Sequence, residues 1–307
     1  MKDNNKKIIQ FFHSGEEHTK STGIKWNDGS HKRKFMAING KYVSKKLEAV
    51  KTDNLCFWGE WEAPAKLIKS INTSNDKLPK NIFSPFYTPE IGRVNTDPFV
   101  FGNEFYYMIC KQAHYPSLRE IPIGSIILFG SNKKKKFVLD TLFVVKDYEE
   151  YDIQDIYSLS KKYNDIFFNV SLKPLTENLK YAEKKEIKES SCGMCIPIKG
   201  DDVDEYKPTK ELKKYKIYKA VMFDEKEQFN GMYSFAPCIA GERGKGGFGR
   251  PEIELPNVIS NEQNQGIKIS KTDSIKMYWE NIKDQVLNNE QDLDLMIGND
   301  LPVRYNR

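Results

Sequence analysis

Three of the four histidines in the chain fall between His13 and His31, in a polar run that also holds Glu17, Trp26 and Arg33. Histidine titrates near neutrality and carboxylates flank it here, so this crowding suits proton transfer. Gly15 allows a tight turn that brings His13 and His18 together beside Glu17. The competing reading is a polar loop whose histidines satisfy backbone groups. The spacing is not the helical His-Glu-x-x-His arrangement and fits no zinc pattern, so no metal is expected.

A second stretch, Leu55-Cys-Phe-Trp58-Gly-Glu60-Trp61-Glu62, reads as a strand. Alternation puts Trp58, Glu60 and Glu62 on one face, with Phe57, Gly59 and Trp61 on the other. Two carboxylates on a buried face need cationic partners, because unpaired buried charge is costly. Arg33 and His31 are candidate partners of this kind. Aromatic rings beside carboxylates can form a pocket for a flat, hydrogen-bonding ligand such as a nucleobase or a sugar. An edge strand with solvated glutamates is the plainer alternative.

The run Arg93-Val-Asn95-Thr-Asp97-Pro-Phe99-Val-Phe101-Gly102 is a turn by simple backbone chemistry, since Asn and Asp bond their own main chain and Pro fixes φ. In a functional version, Asp97 is a fixed carboxylate that orients a water or binds a ribose hydroxyl, with Asn95 and Phe99 beside the ligand. The Asp97-Pro98-Phe99 piece resembles, over these few residues, the water-activating loop of uracil-DNA glycosylases. The histidine that follows in those loops is absent here and no second glycosylase loop is found downstream, so the piece does not amount to a family match.

Further on, Arg243, Lys245 and Arg250 lie on a glycine-rich stretch that can contact phosphates through side chains and exposed amides. Its spacing matches neither the P-loop nor the dinucleotide fingerprint. Cys192-Gly-Met-Cys195 is a single C-x-x-C with no histidine beyond position 114, and no catalytic role is assigned to it.

These residues must be positioned by a β-rich core. Residues 7–13 read as a buried strand. Lys34–Ile38 and Lys41–Val43 flank Asn39-Gly40, a two-residue hairpin signal. A short helix is predicted from Pro64 to Ile68. Gly124–Gly130 and Phe137–Val145 are the clearest strands, with the lysine run 133–136 at their hairpin tip. Helices are predicted at Asp152–Tyr163 and Leu175–Glu189. Near the C-terminus, Ile275, Tyr278, Trp279, Ile282 and Val286 recur at helical spacing, with Asp273 as the cap.

The expected fold is therefore α+β, a mixed core sheet with peripheral helices, a charged helical insertion and a C-terminal packing helix. Residues 1–146 form the core that carries the site, 147–214 the insertion or small lobe, and 215–307 the return to the core. Hydrophobic residues at 39% and aromatics at 12% exclude general disorder. A net charge of +5 is too mild to imply nucleic acid by itself. The first eighteen residues are neither a signal peptide nor a membrane span, and five cysteines at irregular spacing suit a reducing cytoplasm.

The functional expectation is a cytoplasmic protein that acts on nucleic acid or a nucleotide, without a cofactor. Its sharpest form is hydrolysis of an N-glycosidic bond in a flipped or modified DNA base, a chemistry that suits bacterial anti-phage defence. Asp97, Glu17 and Glu60 would activate water or stabilise charge, and His13 and His18 would move the proton. Trp58, Trp26, His31, Asn95 and Phe99 would hold the base, with Arg33, Arg243 and Arg250 on phosphate. The alternative is a non-catalytic module that recognises a modified base or a small nucleotide through the same pocket. Both readings require these side chains to share one cleft.

Overall fold

The computed structural model describes residues 6–16, 33–45, 47–75, 78–89, 94, 96–108, 110–112, 115–133, 136–177, 214–255, 262–264 and 267–305. Within these, runs of β-branched and aromatic residues form two mixed sheets, and the fold is α+β with few helices.

The first sheet is built on β1 (Lys6–Glu16), β7 (Ile126–Lys133), β8 (Lys136–Asp152) and β9 (Lys214–Ala220), in that order. β6 (Tyr106–Tyr107) extends it beyond β9, while β13 (Ile267–Thr272) and β12 (Glu262–Asn264) extend it beyond β1. β11 (Glu252–Ile253) adds to the outer part of β8. β1 and β7 run parallel, and the β7–β8 hairpin is antiparallel.

The second sheet holds the long hairpin of β2 (Arg33–Ser44) and β3 (Leu47–Glu60). β10 (Ala236–Ala240) pairs with β3, β14 (Asp294–Asn299) pairs with β10, and β14 also returns to β2. These four strands form a closed ring. β5 (Asn81–Tyr87) leads outward from β2 to β4 (Ala65–Ser70) and β15 (Val303–Arg304). The two sheets are tied by a backbone bridge between Leu142 and Phe235 and by the Ser234 hydroxyl, which accepts from the Val144 amide at 2.8 Å.

Both faces of the inner strands are buried. Ile9 and Phe11 join Phe57, Phe129 and Phe143 in one apolar cluster, while Ile8 and Phe12 join Phe35, Trp58 and Leu128 in another. That is why the inner strands read as almost unbroken apolar runs. The C-terminal helix (Ile275–Leu287) covers the second cluster with the expected stripe, and its Trp279 indole donates to Tyr233 O at 2.9 Å. Ser274, not Asp273, stands at its N-cap, and its side chain makes no capping bond.

Several local expectations are corrected. Asn39-Gly40 is not a turn: both residues lie inside β2, opposite Asn54 and Asp53, and the chain reverses after Ser44. Gly40 serves close approach instead, since a Cβ there would stand 2.7 Å from Gly298 O and 2.9 Å from Asn299 Cβ, where β14 closes the ring. Gly40→Ala is expected to cost about 1–3 kcal/mol by overpacking, read from the urea midpoint. A loss near zero would show that β14 can move aside.

The predicted helix from Pro64 is strand β4, because pairing of Lys66 with Ser84 and Leu67 with Phe83 overrides the helical propensity of Ala-Lys-Leu. The helix predicted at Asp152–Tyr163 is a run of 3-10 turns over Ile153–Lys161. It is followed by a short helical segment from Asp165, capped by Asn164, whose side chain accepts from the Phe167 amide at 2.8 Å. Ile156, Phe167 and Leu172 of this region pack into the same cluster as Phe57 and Phe129. Most of the helix predicted at Leu175–Glu189, and Cys192 and Cys195, lie outside the described residues. No helix among the described residues is long and apolar enough to cross a membrane.

Candidate functional site

One end of the two sheets gathers charge from four separate stretches of chain. β1 arrives there and reaches Glu16, opposite Asn132 at the end of β7. Between Phe12 and Glu16 it uses three residues against one on β7, so the backbone bulges at His13–Gly15. β2 departs from the same end with Arg33, directly opposite Glu60, the last residue of β3. The chain between β1 and β2 therefore leaves and returns at this end.

A buried ion cluster lies beneath it. Asp140 stands between two guanidiniums: Arg33 Nε is 2.7 Å from Oδ2, and Arg250 Nη1 donates to Oδ1 at 3.0 Å and Oδ2 at 3.2 Å. The Ser131 hydroxyl joins the same pair, accepting from Arg250 Nη2 at 2.9 Å and Arg33 Nη1 at 3.3 Å. Arg33 Nη2 also donates to Gly130 O at 3.4 Å. Arg33, Asp140 and Arg250 are all buried, at 2%, 4% and 8% exposure, so the charges work in a low dielectric where mutual pairing decides whether they can stay. Burial pushes the Arg250 guanidinium down from its ordinary range.

Asp140 reaches this place through a β-bulge. In the β7–β8 ladder Phe129 faces Thr141 while Gly130 faces Leu139, which leaves Asp140 as the extra residue. The bulge reverses side-chain parity. Phe137 and Leu139 face the second cluster before it, and Leu142 and Val144 face the same cluster after it. Gly130 makes the bulge possible, because a Cβ there would stand 2.0 Å from Val138 O.

Trp58 closes the cluster from the side of β3. Its ring centroid is 5.6 Å from the Arg250 guanidinium and 5.2 Å from the Phe35 ring, and its indole donates to Phe248 O at 2.8 Å. Trp58 and Glu60 share the face predicted for them, but β3 is an inner strand between β2 and β10, not an edge, and both residues are buried. Glu62 lies beyond the end of the strand. On the opposite face, buried Lys34 donates to Trp61 O. Burial lowers its affinity for the proton, and Glu62 and then Glu60 restore part of it.

The remaining residues do not share this place. Asp97 is 1% exposed, and its carboxylate accepts the Met108 amide at 3.0 Å and the Cys110 amide at 2.8 Å. It braces the turn after β6. Phe99 is fully buried among Phe101, Tyr106 and Phe167, a packing residue with no open face. Arg243 binds Asp292 at 2.9 Å and Asp294 at 3.1 Å, in the neighbourhood of Tyr42. Tyr42 is nine residues along β2 from Arg33, about 30 Å in an extended strand. The single cleft that would hold Asp97, Phe99, Arg243 and Trp58 together is thus not formed. Arg33 and Arg250 do converge, but on Asp140 and Ser131. Glu17, His18, Trp26, His31 and Asn95 lie outside the described residues, as does the side chain of His13.

Asp140 and Ser131 were not singled out from sequence. The available signal was a carboxylate inside the apolar run Phe137–Val145, where a buried charge demands partners. Among the described residues no group of three or more His, Cys, Asp or Glu side chains could hold a metal ion. Compared with protein-family models, with curated proteins and with solved structures, the chain matches none.

Proposed function

We propose that the protein acts on nucleic acid or a nucleotide at this end of the sheets, as a hydrolase of the N-glycosidic bond of a flipped or modified DNA base. The observation that supports this reading is the concentration of buried charge around Trp58, at the end where β1 delivers His13 and β2 departs at Arg33. Buried ion clusters add little net stability, and strongly perturbed groups gather at working sites.

In this reading Glu17 or Glu60 activates the water and His13 or His18 carries the proton, while Trp26 and His31 face the base. Arg33, Asp140 and Arg250 form a rigid floor and do not contact phosphate. Asp97 has a bracing role.

The test is incubation of the protein with plain and base-modified DNA, single-stranded and duplex, followed by assay for free base and abasic sites. Release is expected, and Glu17→Gln is expected to slow it by about 10²–10⁴-fold. Arg243→Gln is expected to leave it unchanged.

A second reading, a module that recognises the base without cleaving it, gains from the occupation of the Asp97 carboxylate by two amides, which removes one fixed water-activating group. Tight binding with no release on every substrate would select it. Neither release nor binding would overturn both.

A further inference from the structure

We propose that Asp140 is a positioning residue of this site: its carboxylate sets the placement of Trp58 and of the Arg33 end of β2 by holding both guanidiniums at once. The inference rests on the reading that this end is the working end of the protein. Three features aim the one carboxylate. The bulge frees Asp140 from the ladder, Gly130 admits the bulge, and Ser131 bridges the same two guanidiniums from the neighbouring strand.

None of these is needed for the two strands to pair, since β7 and β8 are hydrogen-bonded on both sides of the bulge. Nor does a core of this size need an ion triad, because well-packed apolar side chains in such a place are often as stable or more so. What the triad supplies is direction. Arg250 is held from one side by Asp140 and stacks on Trp58 at 5.6 Å, and Phe248, two residues earlier, takes the Trp58 indole hydrogen. Arg33 is drawn towards Asp140 of the other sheet while its backbone stays opposite Glu60. One side chain thereby fixes an indole on β3 and the start of β2 relative to the first sheet.

The test uses two variants of the full chain: the apolar replacement Arg33→Met/Asp140→Leu/Arg250→Met, and Asp140→Glu. Each is labelled with 5-fluorotryptophan for fluorine NMR, with Trp58 assigned through Trp58→Phe. The probes are thermal melting, the Trp58 resonance, and base release from the DNA that the wild type cleaves. The apolar variant is expected to melt near the wild-type temperature, yet with a displaced Trp58 resonance and release slowed by about 10²-fold.

Asp140→Glu keeps the charge and is likewise expected to melt near the wild-type temperature, with a displaced Trp58 resonance and a slowed rate. It therefore carries the test if the apolar variant fails to fold. A folded variant of either kind with an unmoved Trp58 resonance and an unchanged rate would overturn the inference. If the wild type neither cleaves nor binds DNA, the proposed function falls, and the Trp58 resonance alone decides the positioning role.

Discussion

Asp140→Ala is expected to destabilise the protein by about 3–5 kcal/mol, because it leaves two buried guanidiniums facing each other without their shared carboxylate. At roughly 2–4 °C per kcal/mol for a domain of similar size, the melting temperature should fall by roughly 6–20 °C. The size of the effect follows from burial. A surface pair of the same geometry would be worth about 0–1 kcal/mol, but here water cannot replace the lost partner. Calorimetry measures it directly. A loss under about 1 kcal/mol would mean that the guanidiniums find solvent or another carboxylate, contrary to their burial. Asp140→Asn should fall between the two, keeping one oxygen acceptor and losing the charge.

The second large effect is expected at Asp97. Removing the carboxylate strands the amides of Met108 and Cys110 in the core, at about 1–3 kcal/mol for each buried donor, so Asp97→Ala should cost about 2–6 kcal/mol. Asp97→Asn retains one acceptor oxygen and should lose about half as much. The diagnostic comparison is between stability and rate. With substrate at saturation and temperature well below melting, Asp97→Asn is expected to keep its rate, as a bracing residue would. A collapse of rate in a fully folded Asp97→Asn protein would return Asp97 to the chemistry.

Much of the framework was legible because it depends on local pattern. The apolar runs Gly124–Gly130 and Phe137–Val145 are the hairpin of β7 and β8, and the 3.6-residue spacing of Ile275 to Val286 is the C-terminal helix. What failed was local chemistry overridden by distant chain. Asn39-Gly40 has every attribute of a turn, yet the glycine is used because β14, more than 250 residues away, passes too close for a side chain. Pro64–Ile68 is helical by propensity and a strand by pairing with β5.

The candidate site was legible by residue type but not by partnership. Arg33, Trp58, Glu60 and Arg250 were each suspect as charged or aromatic groups in polar, aromatic or glycine-rich stretches, and the structure buries them, with Arg250 over Trp58 and Arg33 opposite Glu60. Asp97 and Phe99 looked identical by that criterion and serve the core elsewhere. The difference lies in which backbone amides or rings meet them, and periodicity carries no information on that. Asp140 is hidden by its bulge: alternation counted from Phe137 and Leu139 puts it on one face and alternation counted from Leu142 and Val144 on the other.

The closed ring of β2, β3, β10 and β14 has a consequence for how the chain reaches its native state. β2 is synthesised more than 240 residues ahead of its partner β14, and β1 likewise waits for β13. Neither the ring nor the edge of the first sheet can be completed until β13 and β14 have left the ribosome. Closing loops of that length makes for slow folding and a long-lived, partly assembled state with exposed strand edges. A chain stopped before Asp294 would keep the β2–β3 hairpin and lose its closure, and should persist as an aggregation-prone intermediate instead of a smaller native domain.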